Sequence, residues 1–317
     1  MAAQQSNSGG SSASSGWLRL LLSNRKAMVG TLIALFFLLI AVLGPVFVGQ
    51  DPHAFVGMPH EPPSAEHLFG TTGQGQDVLA QTLAGARTSL AVGFATGFAV
   101  MTIGALIGMV GGFFGGWIDD VLSLLTNVFL IIPGLPMAVV IAAYLPAGPL
   151  TILLVLVITG WAWNARVLRS QVLTLREKDF VSAAIVSGEG SLRIIFREIL
   201  PNMTSLLMSG FIGATVYAIG AQVGLEFLGL GDLSAVTWGT NLYWASNNAA
   251  LLTGAWWTIV PTGLCVALVG FALTLINYAI DEISNPRLRA EGSWSRLLRS
   301  RKVTAGPSTP VVRAHGA

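Results

Sequence analysis

Four groups of residues in this sequence are of types that chemistry requires. His53, His60 and His67 recur every seven residues, and imidazole is the commonest metal ligand. Asp119 and Asp120 form an adjacent carboxylate pair, Glu226 is an isolated carboxylate between apolar runs, and Cys265 is the single thiol. None of these amounts to an enzyme. Pro52, Pro59, Pro62 and Pro63 interrupt the stretch that holds the histidines, so no regular helix aligns them. A solvated loop is therefore read there, and no metal site is assigned. The aspartates lie at the edge of an apolar run, where acidic residues suit a helix N-terminus. Asp119 is expected to cap the span that follows, in preference to a proton relay, which belongs in mid-membrane. Glu226 is read in the same way as a solvated boundary residue, although a boundary displaced by one turn would place it inside. A lone buried cysteine is a small hydrophobe. With no GxxxxGK[ST] loop, no HExxH and no Ser/His/Asp arrangement, neither a nucleotide site nor hydrolytic chemistry is expected of this chain.

What remains is mechanical. The segment Glu177 to Met203 reads EKDFVSAAIVSGEGSLRIIFREILPNM. Ala183, Ala184 and Gly188 follow Phe180 on a helical pattern, and small residues there leave room for another surface to approach. Leu192, Ile195, Phe196 and Ile199 recur at three- and four-residue spacing, with Arg193 and Arg197 turned away from them. Leu200-Pro201 ends the segment, since proline stops or kinks a helix. Two readings fit: an amphipathic linker on lipid headgroups, or a docking element.

The elements that position this segment are membrane spans. Only 10% of the 317 residues are charged and 53% are hydrophobic, against roughly 25% charged in a soluble chain. Uncharged runs cover 27–50, 88–118, 121–165, 201–225 and 233–280. A spanning helix needs about 20 apolar residues, and these runs are apolar on every side, which excludes barrel strands. Six spans are expected: Met28–Val48, Ser89–Gly112, Val121–Tyr144, Leu150–Ala165, Met203–Leu225 and Trp256–Ile280. Within these bounds no Asp, Glu, Lys or Arg offers an ion relay. With the N-terminus in the cytoplasm, 16 of the 17 Lys and Arg fall on the inner side and only Arg87 lies outside, as the positive-inside rule requires. The pI of about 8.9 thus reflects topology, and no nucleic-acid partner is implied.

Other features refine the spans. Residues 1–16, rich in Ser and Gly, read as a disordered tail. No cleavage-type signal is read ahead of the first run, which is long enough to stay as an anchor. Pro133-Gly134-Leu135-Pro136 interrupts the third span. It either lines a path, where freed backbone groups are covered, or eases packing. Gly104 and Gly108 form a GxxxG pair that permits close helix approach. Trp238, Tyr243 and Trp244 suit a membrane–water interface.

Four stretches carry a resemblance. Ala183-Ala184, Gly188 and Leu200-Pro201 resemble the "EAA" signature of permease subunits of bacterial ABC importers, with Ser182 where that family usually has Glu and Glu198 where it often has a hydrophobic residue. The stretch from His67 to Leu79, with Phe69, Gly70 and Asp77, followed by Gly85-Ala86-Arg87-Thr88-Ser89-Leu90, resembles the dipeptide/oligopeptide (DppC/OppC-like) permeases. Here Thr72 replaces the usual Asp and Gln76 the usual Arg, so any ion pair at these positions is lost. Phe227 to Gly231 with Trp238-Gly239, and Asn285-Pro286-Arg287, resemble the same family, in consistent order over roughly residues 17–290.

The resemblance implies an all-α integral membrane protein with the type I ABC importer permease fold. Its parts would be the tail (1–16), a first helix and external loop (17–88), a permease core (89–290) with the coupling loop (166–202), and a basic cytoplasmic tail (291–317). It implies a subunit of the bacterial cytoplasmic membrane that imports dipeptides or oligopeptides and does no covalent chemistry. Phe180, Ala183, Ala184, Gly188, Arg193, Leu200 and Pro201 would meet an ATPase, Pro133, Gly134 and Pro136 would kink or line the path, and Phe69, Gly70, Asp77 and Trp238 would make external-loop contacts. The partners implied are a second related permease, two ATPase domains that bind ATP and Mg, and an external solute-binding protein; this chain would itself bind no cofactor. A permease for nickel or another small solute shares these motifs. A stand-alone proton-coupled carrier and a structural scaffold are the readings from other classes.

Overall fold

The computed structural model describes residues 24–48 and 51–284, which are helical apart from loops and one isolated bridge between Thr71 and Asp77. The first and last expected segments, 1–16 and 291–317, lie outside the described residues, as does Asn285-Pro286-Arg287.

Five helices are long and apolar enough to cross a bilayer: α1 (Arg25–Val48), α2 (Val78–Phe114), α5 (Pro149–Arg176), α9 (Thr204–Phe227) and α11 (Val260–Ser284). A sixth span is broken. Helices α3 (Gly116–Ile131) and α4 (Gly134–Tyr144) meet at 86°, far beyond a kink in one rod. Pro133 and Pro136 account for the break. A proline in mid-helix removes a donor and clashes with the preceding turn, whereas near a helix start its missing N–H costs nothing.

Several spans run longer than expected. Helix α2 begins at Val78 and not Ser89, α3 begins at Gly116 and not Val121, α5 continues past Ala165 to Arg176, and α9 continues past Leu225 to Phe227. Polar or charged residues in a last turn do not stop a helix that has left the hydrocarbon. Consequently Arg87, Arg166, Arg169, Asp119 and Glu226 are all helical, and the ion-free spans of the sequence reading were drawn too short.

Helix α2 is the centre of the bundle. It packs against α5, α9 and α1, and its glycines set the distances. A Cβ placed on Gly104 would lie 2.8 Å from Asn164 Cβ, and one on Gly108 2.6 Å from the Ala165 carbonyl oxygen. Gly112 continues the row against Val172. Gly93 and Gly97, on another face, abut Ile219 and Thr215 of α9. In lipid, where apolar burial gives little drive between helices, such backbone proximity supplies the packing. The GxxxG pair is thus part of a longer row. The sharp α2–α3 turn uses Gly115 and Gly116, at φ of 66° and 55°, which only glycine adopts at little strain.

At that turn Asp119 does not cap. Gly115 is the N-cap of α3 and makes no side-chain bond, while Asp119, one turn in, takes Nε and Nη2 of Arg169. Helix α10 (Trp238–Asn247) is short and opens on a Thr237–Thr240 capping box; a 3₁₀ turn at Trp256–Thr258 leads into α11.

Candidate translocation and coupling site

After α5 the chain turns into α6 (Asp179–Val186). Gly188 then stands at φ +78°. Its N–H donates to the Ile185 carbonyl and that of Glu189 to the Ala184 carbonyl, the paired bonds of a Schellman stop. Helix α7 (Ser191–Ile194) follows, then a π turn at Ile195–Ile199 and the single turn α8 (Leu200–Asn202). Pro201 has no N–H to continue an α ladder, and the wider turn just before it absorbs the mismatch.

That π turn changes which side chains face inward. The expected set was Leu192, Ile195, Phe196 and Ile199. Instead Ile194, Ile195 and Ile199 are buried, while Leu192 and Phe196 are exposed, because a five-residue turn brings 194 and 199 to one side. Val181 is buried with them. Phe180, Ile185, Val186, Leu192 and Phe196 are left exposed. Of the other expected residues, Ala183 is exposed, Ala184 and Leu200 lie partly buried against the core, and Pro201 is exposed. Arg193 Nε lies 3.6 Å from Glu189.

A cavity of about 720 Å³ opens between α2, α3, α5, α9 and α11. Pro133 and Gly134 are on its wall; Pro136 is not. Its polar groups are Thr159, Asn164, Ser209, Tyr217 and Asp281, with Ser209 Oγ donating to Asp281 Oδ1 at 2.6 Å. Sequence reading missed these five. Asn164, an amide within the expected apolar span Leu150–Ala165, was the available signal.

The cavity and the α6–α8 segment share one core. Val181, Ile194, Ile195 and Ile199 cluster with Met101 and Leu168, and Leu206 packs on the same cluster. Met101, Leu168 and Leu206 are also cavity wall. One close-packed core therefore joins α6–α8 to the cavity wall.

At the opposite end of α2, the residues expected to make external contacts mostly hold the protein together. Trp238 is fully buried, its indole N–H donating to the Thr82 carbonyl and its backbone N–H to Ser89. Asp77 caps α2 by accepting from Ala80 N, and also meets His67 Nδ1 at 3.1 Å. Gly70, at φ +69°, lies under the Trp257 ring. Phe69 alone of the four is exposed. The three histidines do not converge: His60 meets the Asn248 carbonyl and His67 meets Asp77, while His53 carries its hydrogen bonds on its backbone. Thr72 and Gln76 are joined backbone to backbone, and the Thr72 hydroxyl accepts from Gln76 N, so uncharged bonds bridge the two positions where the family usually has Asp and Arg.

Glu226 overturns its reading as a solvated residue. It is 2% exposed. Gln222 Nε2 and Thr237 Oγ1 donate to its two oxygens at 3.0 and 2.6 Å, which pins the end of α9 to the start of α10. The helix boundary lies two residues beyond the expected Leu225, since α9 runs to Phe227, and Glu226 falls inside it.

Comparison with known proteins agrees with this architecture. Residues 104–290 match the family described as binding-protein-dependent transport system inner membrane component. Residues 14–63 match the N-terminal TM domain of oligopeptide transport permease C. The chain is 32% identical over 272 residues to the oligopeptide transport system permease protein OppC of Bacillus subtilis (strain 168), covering 84% of this chain and 87% of that protein. It is 32% identical over 280 residues to the dipeptide transport system permease protein DppC of the same strain, covering 86% and 85%. A putative peptide permease protein of Brucella suis biovar 1 is 33% identical over 269 residues, covering 84% and 88%. With most of its length matched in this way, the chain belongs to the family of inner membrane components of binding-protein-dependent transport systems.

Proposed function

We propose that this chain is one permease subunit of an ATP-driven importer of dipeptides or oligopeptides, in the bacterial cytoplasmic membrane with both termini inside. The peptide class rests on the relatives, which are named as oligopeptide, dipeptide and peptide permeases. The mechanism rests on one observation: the core that joins Val181, Ile194, Ile195 and Ile199 to the cavity wall at Met101, Leu168 and Leu206. The exposed apolar row Phe180, Ile185, Val186, Leu192 and Phe196 is the surface that a separate ATPase subunit would cover. ATP would be bound and hydrolysed there, with Mg, by the partner. Closure of an ATPase pair would push α6–α8, and the wall would follow in a two-state shift.

The cavity is only partly enclosed by this chain, which supports reading it as half of a path whose other half would be a second, related permease. An external binding protein would deliver the peptide at the end that carries residues 51–77. The nickel reading gains nothing from three histidines that take separate partners.

The test is reconstitution of the chain with its partner permease, ATPases and binding protein in vesicles. Labelled peptide should accumulate only with ATP and the complete set. Uptake by this chain alone, without ATP, would overturn the proposal.

A further inference from the structure

Beside α1 and α2, away from the cavity, lies a groove of about 350 Å³ lined by Leu38, Ala41 and Val42 of α1 and by Leu90, Ala91 and Phe94 of α2, with Arg87 at one end. The spacing makes the shape. Leu90, Ala91 and Phe94 are three, four and seven residues beyond Arg87, on one helical face. Leu38, Ala41 and Val42 present the matching stripe, with Ala41 and Ala91 as the narrow side chains that leave the channel open. Gly44 lies against Leu83, while Leu38, earlier on α1, lines the groove with Leu90, Ala91 and Phe94, later on α2, so the helices run antiparallel and Arg87, one turn beyond Leu83, is at about the level of Ala41. That level is seven residues short of the end of α1 at Val48, or roughly 10 Å. The apolar lining runs from Arg87 toward the middle of the bilayer.

Arg87 is exposed, and none of the described carboxylates forms an ion pair with it. A guanidinium set about 10 Å in from a helix end extends its long side chain toward the interface, where an anionic headgroup is the partner within reach. A guanidinium meets phosphate in a two-pronged fit, and the groove inward of it has a volume of about 350 Å³ and an apolar lining, as an acyl chain requires.

We infer that this groove binds an anionic glycerophospholipid, its phosphate on Arg87 and one acyl chain along Leu90, Ala91 and Phe94, in the leaflet on the side of residues 51–77. The site is independent of the transport reading, and needs only that the chain be embedded in lipid.

Native mass spectrometry of the full chain, purified with its partner subunits and supplied with phosphatidylglycerol or phosphatidylcholine, tests it. Phosphatidylglycerol should stay bound in preference to phosphatidylcholine. Arg87→Gln should lower its retention roughly tenfold, and Arg87→Lys should recover part of it. Ala91→Trp should reduce retention of both lipids by filling the channel; Ala91 is exposed, so the variant disturbs no core contact. Equal retention in wild type, Arg87→Gln and Ala91→Trp would overturn the assignment. So would efficient crosslinking of a Val42→Cys chain to the partner permease, which would give the groove to that subunit.

Discussion

Arg169 of α5 holds Asp119 of α3 in a forked pair, Nε on one carboxylate oxygen and Nη2 on the other at 2.5 and 2.6 Å. Fifty residues separate them in sequence. The pair ties the turn after α2 to the extension of α5 that leads into the α6–α8 segment, with Gly111 close enough that a Cβ would lie 3.2 Å from Asp119. Asp119 is largely buried and Arg169 about one-third exposed, so the pair is worth more than a surface bridge and less than a fully desolvated one. Asp119→Asn or Arg169→Gln should each cost about 1–2 kcal/mol, read as a lower unfolding temperature in detergent. The exchanged pair, Asp119→Arg with Arg169→Asp, should recover part of the loss. If the single variants unfold with the wild type, the pair is ornamental.

Gly188 has no neighbour within 4 Å of a Cβ, yet φ is +78°. Its requirement is therefore conformational and not steric. Gly188→Ala should cost about 1 kcal/mol, and Gly188→Asn less, because Asn tolerates that region. Gly188→Arg adds bulk and charge beside the exposed row of α6. It should abolish ATPase co-purification and peptide uptake while the chain still inserts. Normal uptake by Gly188→Arg would remove the docking role from this segment.

Much of this was legible in the sequence because lipid is a demanding solvent. Runs without charge located the helices, and Pro133 with Pro136 located the break, because few sequences satisfy those rules by accident. Side-chain facing was not legible where geometry leaves the α period. The π turn moved Leu192 and Phe196 outward although their spacing was perfect for an α-helix. Nor were partners across sequence. Trp238 reads as an interfacial aromatic, but its indole N–H is taken by Thr82, 156 residues away. The cavity polar groups come from three helices, and only folding brings them together. Four of the five are uncharged, and Asp281 stands just past the last uncharged run, so no charge run announced them.

Glu226, expected at a solvated boundary, is buried, and its role is testable. Its neighbours Gln222 and Thr237 are as buried as it is. Glu226→Ala would leave the Gln222 amide without its acceptor and the Thr237 hydroxyl with only Thr240 Oγ1 at 3.1 Å, at about 1–3 kcal/mol. Glu226→Gln keeps the volume and one acceptor, and should cost about half as much. The order of unfolding temperatures, wild type above Gln above Ala, checks the claim. Equal values for Gln and Ala would show that the carboxyl pins nothing.

The α2–α5 contact gives a prediction about size alone. A Cβ on Gly108 would stand 2.6 Å from the backbone oxygen of Ala165, and backbone cannot swing aside as a side chain can. Gly108→Ala should therefore destabilise by about 1–3 kcal/mol, although alanine is the better helix former. Gly220 of α9, where a Cβ meets nothing, is the control, and Gly220→Ala should be neutral or stabilising. The same response at both positions would mean that helix propensity, and not crossing distance, sets the effect.

Cavity and stability can be separated at Gly213. It lines the cavity, and a Cβ there meets nothing within 4 Å. Gly213→Trp should accordingly fold, with an unfolding temperature near that of the wild type, while the indole occupies the space between α9 and the Pro133–Gly134 break. In the reconstituted importer, ATP-driven peptide uptake should fall at least roughly tenfold. ATPase co-purification should be unchanged, because the exposed row on α6–α8 is untouched. That combination distinguishes a blocked path from a broken coupling element, for which Gly188→Arg should give the reverse: an open cavity and no bound ATPase. Full uptake by Gly213→Trp would mean that the peptide does not pass along this wall.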